Sequence, residues 1–166
     1  TRWLSDWSSD VCSSDLNSLG NEKILNMPKT AFLCSRRVPA SAVLKCYDWA
    51  IDQREAGRCV ISGFHSQMEK DVLYYLLKGT QPIILALARG LKKRIEPELK
   101  QPLEQGRLLI ITPFDSTVKW VTSENAAIRN KMMIEMTDEI VVGYSSPSGR
   151  LKTIITNHDE KKIIFL

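Results

Sequence analysis

Six short apolar runs punctuate the chain, and the segments between them carry apolar residues at helical spacing. That alternation leaves few possible folds. The runs are 30–34 (TAFLC), 59–61 (CVI), 82–87 (PIILAL), 107–111 (RLLII), 139–142 (EIVV) and 163–166 (IIFL). They do not alternate polar with apolar residues, as a half-exposed strand does. Strands that are apolar throughout are covered on both faces, and in parallel sheets helical crossovers supply the cover. Pro39 opens the first helix, as a first-turn proline can. Val43, Tyr47, Ala50 and Ile51 form its stripe, and Gly57 is its left-handed stop. Met68, Val72, Leu73, Leu76 and Leu77 form a second stripe, with Gly79 as its cap. Residues 91–105, broken by Pro97 and Pro102, read as a loop with one short helix. Residues 114–122 read as a loop before a helix capped by Ser123, with Ala127, Met132, Met133 and Met136 on its apolar side. Ser148 and Gly149 open a last short helix over Leu151, Ile154 and Ile155. The expected fold is α/β: a Rossmann-like, doubly wound, mostly parallel sheet of about six strands.

A length of 166 residues fits one domain. No run reaches the roughly 18 apolar residues of a membrane span, and no basic region followed by an apolar one opens the chain. A cytoplasmic protein without membrane contact is the expectation. The four cysteines (Cys12, Cys34, Cys46, Cys59) show no C-x-x-C pair, and there are two histidines. Reduced thiols and no bound metal follow, and no cofactor is implied. The first sixteen residues differ from the rest: they carry neither helical nor strand period. Within them Asp6 to Leu16 (DWSSDVCSSDL) looks like a translated sequencing adapter; a natural disordered tail is the other reading. The domain is therefore taken as 17–166. The tail holds one of the 23 basic and three of the 19 acidic residues, which leaves 22 against 16, a net charge of +6.

In doubly wound sheets ligands bind beyond the carboxyl ends of the strands. Small and polar residues gather at those ends: Ser35-Arg36-Arg37, Ser62-Gly63, Arg89-Gly90, Thr112 and 145–149. Turns of this composition let backbone N–H groups approach an anion. Arg36 and Arg129 are candidates for bidentate phosphate contacts, with Arg37 and Lys131 as supporting charges. Ser35, Arg36, Ser62, Gly63, Arg129 and Gly149 are expected to converge on one pocket. His65 reads as a ligand-contact or loop histidine. A Ser62–His65 hydrolytic pair has no evident third group to orient it, and no phosphate-loop or dinucleotide fingerprint exists. Trp120 is either a base-stacking platform or a loop anchor. Lys92-Lys93-Arg94 is either a solvated face or an electrostatic patch.

The order of these motifs resembles the DNA-processing protein A (DprA, or Smf) family, within the SLOG group of Rossmann-like domains. Gly20-Asn21 stands at the family's Gly-Asn lead-in, and Cys34-Ser35-Arg36 at its G-S-R. Ser62-Gly63-Phe64-His65-Ser66-Gln67-Met68-Glu69 stands at its S-G-x-A-x-G-I-D. Arg129-Asn130-Lys131 stands at its R-N-R, and Ser148-Gly149 at its S-G. The departures are Cys34 for Gly, Ser66 and Gln67 where the family has other residues, Glu69 for Asp, and Lys131 for Arg. The resemblance implies a bacterial protein that binds single-stranded DNA, loads the RecA recombinase during natural transformation, and dimerises. It places phosphate or DNA on Ser35, Arg36, Arg37, Ser62, Gly63, His65, Arg129, Asn130, Lys131, Ser148 and Gly149. Other SLOG branches bind nucleotide-derived ligands, or cleave nucleotides with a P-G-G-x-G-T-x-x-E motif that this chain lacks. The expectation is a DNA-binding module rather than an enzyme, with a nucleotide sensor as the other reading. A degenerate domain kept for protein contacts is a third.

Overall fold

The computed structural model describes residues 16–158 and 160–166. The adapter-like tail lies outside the described residues except for Leu16, which is partly buried against the core. Among the described residues, seven strands form one sheet. In chain order the elements are β1 (Asn17–Gly20), a 3-10 turn (Glu22–Asn26), β2 (Lys29–Cys34), α1 (Ala40–Glu55), β3 (Cys59–Ser62), α2 (Gln67–Leu77) and β4 (Ile83–Ala86). Then come α3 (Pro97–Glu104), β5 (Leu108–Thr112), α4 (Ser123–Glu135), β6 (Glu139–Tyr144), α5 (Arg150–Thr156) and β7 (Lys162–Phe165). The order across the sheet is β1-β5-β4-β3-β2-β6-β7. All neighbours pair in parallel except β1, which runs antiparallel to β5 with Asn17 opposite Thr112 and Gly20 opposite Leu109.

Each apolar run became a parallel strand, and β1 is the seventh. Its sequence, Asn-Ser-Leu-Gly, carries no apolar run because it is an exposed edge; Leu19 is 39% exposed. The backbone ladder to β5 holds it instead. The central strands are buried on both faces. On one side Phe32, Val60, Ile83 and Val141 meet Cys46 and Ala50 of α1 and Met68, Val72 and Leu76 of α2, with Leu99 of α3 in the same cluster. On the other, Ala31, Leu33, Ile61, Ile84 and Ile140 meet Met132 and Met133 of α4, Ile155 of α5, and Ile24 and Leu25 of the 3-10 turn. Successive strand residues point to opposite faces, so only a run apolar at every position satisfies both layers. The chain builds outward from β2 to β5 and then returns to the other side of β2 with β6. That reversal is the topological switch point, where such sheets open a crevice.

Several local expectations change. Thr122, not Ser123, caps α4, its Oγ1 accepting from the Asn125 N–H at 3.1 Å. Ala127 is exposed. The buried face of α1 runs through Ala42, Cys46, Ala50 and Gln53, one position round from the Val43–Tyr47 stripe. Gly79 is not a left-handed cap; it is crowded, since a Cβ there would lie 2.4 Å from Arg54 Cγ. Among the described residues no helix is long and apolar enough to cross a membrane.

Gly20 ends β1 at φ +114°, where a Cβ would lie 2.3 Å from the Leu108 carbonyl oxygen. Asn21 then pins the chain, its side-chain amide donating to the Gly106 carbonyl at 2.7 Å and its Oδ1 accepting from the Lys23 N–H at 3.1 Å. This gives the Gly-Asn pair a structural reason. Gly20→Ala should cost about 1–3 kcal/mol through backbone strain. Thermal unfolding should show it as a Tm lower by about 3–10 °C for a chain of this size; an unchanged Tm would mean that β1 does not depend on this close approach.

Candidate functional site

The turns after β2, β3, β4 and β6 share the carboxyl edge of the sheet, and they form two neighbourhoods there. The first is the switch point between β2 and β6. The Ser35 N–H donates to the Tyr144 carbonyl at 2.8 Å, and Ser35 Oγ accepts from the Ser146 N–H at 2.9 Å. The Gly149 N–H donates to the Ser146 carbonyl at 3.0 Å, and a Cβ on Gly149 would come within 3.7 Å of Ser35 Oγ. Ser35 thus ties the loop at 145–149 down onto β2. Arg36, Arg37 and Ser148 are exposed around it.

The second neighbourhood begins at Ser62 and Gly63, where β3 ends. Ser62 is fully buried, and its Oγ accepts from the Phe64 N–H at 3.3 Å. Phe64 sits in the left-handed region at φ +45° with its ring buried in the α2 cluster. That conformation is uncommon for a bulky residue, and burial of the ring holds it. The turn feeds Ser66, the N-cap of α2. Ser66 Oγ accepts from the Glu69 N–H at 3.3 Å, while Glu69 Oε1 accepts from the His65 and Ser66 N–H groups, both at 3.1 Å. This reciprocal pair is a capping box. Glu69 is only 7% exposed. Burial pushes its carboxyl pKa up, and the backbone donors and Arg129 act against that push.

Arg129 reaches this turn from α4. It is 6% exposed. Its Nη1 donates to the Ala86 carbonyl at the end of β4 at 3.2 Å, and its Nε donates to Asn130 Oδ1 at 2.8 Å. The guanidinium lies against Gly63, where a Cβ would sit 2.1 Å from Nη1. Burial lowers the Arg129 pKa and the Glu69 charge raises it again; arginine stays charged inside proteins. Arg129 and Glu69 are therefore both buried where β3, β4, α2 and α4 meet, each feeling the other's charge while its hydrogen bonds go elsewhere.

Beside this turn opens a cavity of about 740 Å³. Leu73, Leu77, Leu85, Leu87 and Leu99 line its apolar part; Gly63, His65, Lys70, Arg89, Lys92 and Arg129 also line it. His65 is exposed, and its pKa lies below the ordinary 6.5 because of partial burial and then the charges of Arg129, Lys70, Arg36 and Lys92. Four cations from four parts of the chain thus act on one imidazole. Lys92 also pairs with Glu96.

The predicted residues are therefore divided. Gly63, His65 and Arg129 line the cavity, and Arg36 acts on His65 from the next turn. Ser35 and Gly149 belong to the switch-point loop, with Ser148 on its exposed side. Ser62 lies beneath the surface with its Oγ engaged by a backbone N–H. Asn130 orients Arg129. Lys131 is exposed and pairs with Glu135 at 3.5 Å along α4. The 145–149 loop is tied to Ser35, while Gly63, His65 and Arg129 line the cavity. Trp120 is 81% exposed. Glu69 went unrecognised as part of the site, although Ser66-x-x-Glu69 before an apolar stripe is a capping-box signal. Arg89, noted from its place after a strand, lines the cavity, and Lys70 was missed. Among the described residues no group of three or more His, Cys, Asp or Glu is placed to hold a metal ion.

No protein-family model and no curated protein matches the sequence. Solved structures do. The chain superposes on DNA processing protein A from Helicobacter pylori with a TM-score of 0.73 at 17% identity, over 90% of this chain and 70% of that one. That structure concerns the single-stranded DNA binding mode of the H. pylori protein. DNA processing protein A from Streptococcus pneumoniae gives 0.74 at 15% identity, over 98% of this chain and 58% of that one. The fold is that of DNA processing protein A. The Moco carrier protein of Chlamydomonas reinhardtii, at 10% identity, shares the architecture with a TM-score of 0.54, over 84% of this chain and 75% of that one. On the DprA fold this chain spans 58% of the S. pneumoniae structure.

Gly63→Ala should force the Arg129 guanidinium away from the end of β4. Glu69→Ala should remove the side-chain half of the α2 capping box and leave the His65 and Ser66 N–H groups without their acceptor, costing about 1–3 kcal/mol. Urea unfolding of both variants checks this. A Glu69→Ala chain within about 0.5 kcal/mol of the parent would show that the capping box does not hold the turn.

Proposed function

We propose that the chain is a DprA-like domain that binds single-stranded DNA along the carboxyl edge of its sheet, and that it does so without catalysis. The observation that carries this reading is that His65, Lys70, Arg89, Lys92 and Arg129 line one cavity on a DprA fold. A polyanion fits such a group better than a neutral ligand does. Arg36 and Arg37 are exposed and take phosphate, with Lys70, Arg89 and Lys92 extending the positive path past the cavity. Arg129 contributes charge and shape, because its Nη1 and Nε already hold protein acceptors. Exposed Trp120 offers a ring on which a base can stack. A bacterial cytoplasmic setting, RecA loading in natural transformation and a homodimer rest on the sequence motifs alone. One observation favours a second reading, a nucleotide sensor: the cavity has the size of a small-ligand pocket.

Titration of a labelled oligonucleotide separates the two. Binding should weaken with salt at a log–log slope of about −0.7 per phosphate neutralised. Arg36→Ala should weaken it for all sequences alike and flatten that slope by about one contact. A mononucleotide that saturates the chain, with no gain for longer strands, would favour the sensor. No oligonucleotide binding at low salt would remove the DNA reading.

His65 gives a pH test. In the free chain its pKa lies below 6.5, and a bound phosphate raises it. Between the two values binding takes up a proton, so affinity should rise as pH falls from 7.5 towards 5.5. His65→Ala should abolish that rise; a rise that persists in the variant would place the titrating group elsewhere.

A further inference from the structure

The Ser35–Arg37 turn is bracketed by two thiols that the site does not use. Cys34 ends β2, and Cys46 lies one helix away on α1. Both side chains converge on Gly143 of β6: a Cβ there would sit 2.7 Å from Cys46 Sγ and 3.2 Å from Cys34 Sγ. The two sulfurs thus close on one bare Cα, and each is a free thiol. Cys34 is 9% exposed, at the carboxyl edge, while Cys46 is fully buried. The β2–β6 register shifts between Leu33 and Cys34, so the ladder is already irregular where the first thiol sits. We propose that Cys34 and Cys46 form a reversible dithiol–disulfide pair that controls the Ser35–Arg37 turn.

A hydroperoxide is the oxidant. One sulfur attacks the O–O bond as a thiolate and becomes a sulfenic acid, and the departing oxygen takes up the thiol proton as water or an alcohol. The second sulfur then displaces the sulfenic oxygen, which leaves as water with the second proton, and the S–S bond forms. The two thiols lose two electrons and the peroxide gains them. A dithiol reductant reverses the step by thiol–disulfide exchange. The thiols already interact: their mutual contact pushes the Cys34 pKa up and the Cys46 pKa down. Bringing the sulfurs to about 2 Å draws Cys34 towards α1 and away from β6. The bonds from Ser35 to Tyr144 and Ser146 are the first to loosen, since they hang on the residue next to Cys34.

The test is oxidation of the full chain with hydrogen peroxide, followed by tryptic mapping and amide hydrogen exchange. Cleavage after Lys29, Arg36, Lys45 and Arg54 puts Cys34 in TAFLCSR and Cys46 in CYDWAIDQR. The expected product is these two peptides joined, two hydrogens lighter, and separated again by dithiothreitol. The Ser35 and Ser146 amides should exchange faster in the oxidised chain, and Cys46→Ser should prevent both changes. Failure to find the joined peptides, or a joined pair with unchanged exchange at Ser35 and Ser146, overturns the proposal. Neither readout needs DNA. If the DNA reading above also holds, oxidation should weaken oligonucleotide binding about fivefold or more, the lower end of coupling between sites. A crosslink with altered exchange but no binding in either redox state would sink the DNA reading alone.

Discussion

Every parallel strand from β2 to β6 has to bury both of its faces, and this requirement organises the molecule. Ile61, Ile83, Ile84, Leu108, Leu109 and Ile140 are all fully buried. A sheet covered on one side only would leave half of them in water, at about 25 cal/mol per Å² of apolar surface. The helices are therefore distributed to both layers, and the chain must cross from one side of β2 to the other to place them. The crossing puts the ends of β2 and β6 next to each other with their connections diverging. The crevice at the carboxyl edge is thus a by-product of how the core is covered.

At that edge the Arg129–Glu69 pair sets the shape of the site. Each is costly to bury alone, and hydrogen bonds offset that cost: Arg129 donates to Ala86 and Asn130, and Glu69 accepts from the His65 and Ser66 N–H groups. Gly63 is small because the guanidinium occupies the space of its side chain. Phe64 takes a left-handed conformation because its ring is buried beneath. His65 is carried outward by the same turn into the field of four cations. A substitution at Gly63 or Glu69 is felt at His65 through this chain of contacts.

The five central strands, β2 to β6, were legible because two-sided burial writes itself into composition: a run such as PIILAL has little else to be. β1 was not legible, since an edge strand held by backbone bonds needs no apolar side chains. The edges of helices were misread by a residue where two hydroxyl residues stand together, as at Thr122 and Ser123. Ser35, Gly63, His65 and Arg129 were singled out from their positions after strands or at a motif, and the structure puts all four at the carboxyl edge. What position could not tell was which of their donors remain open. Arg129 looked like a phosphate ligand, yet burial assigned its Nη1 and Nε to Ala86 and Asn130. Glu69 looked like a mere replacement, yet it closes the capping box of α2.

That division bears on how this edge can hold an anion. Glycine-rich turns before a helix grip phosphate with backbone N–H groups, and the helix dipole adds to the grip. Here the His65 and Ser66 amides at the start of α2 already donate to Glu69, whose carboxylate stands where a phosphate would. On the proposed reading that leaves the side-chain cations: Arg36 and Arg37 from the first turn, Lys70 from α2 and Arg89 after β4, with Lys92 already paired to Glu96. Cations on flexible stems hold a chain of phosphates by charge more than by shape, and salt screens them. A buried backbone cradle would discriminate one phosphate group from another. On the proposed reading, this edge would hold a polyanion by its charge, with selectivity left to the apolar cavity beside it.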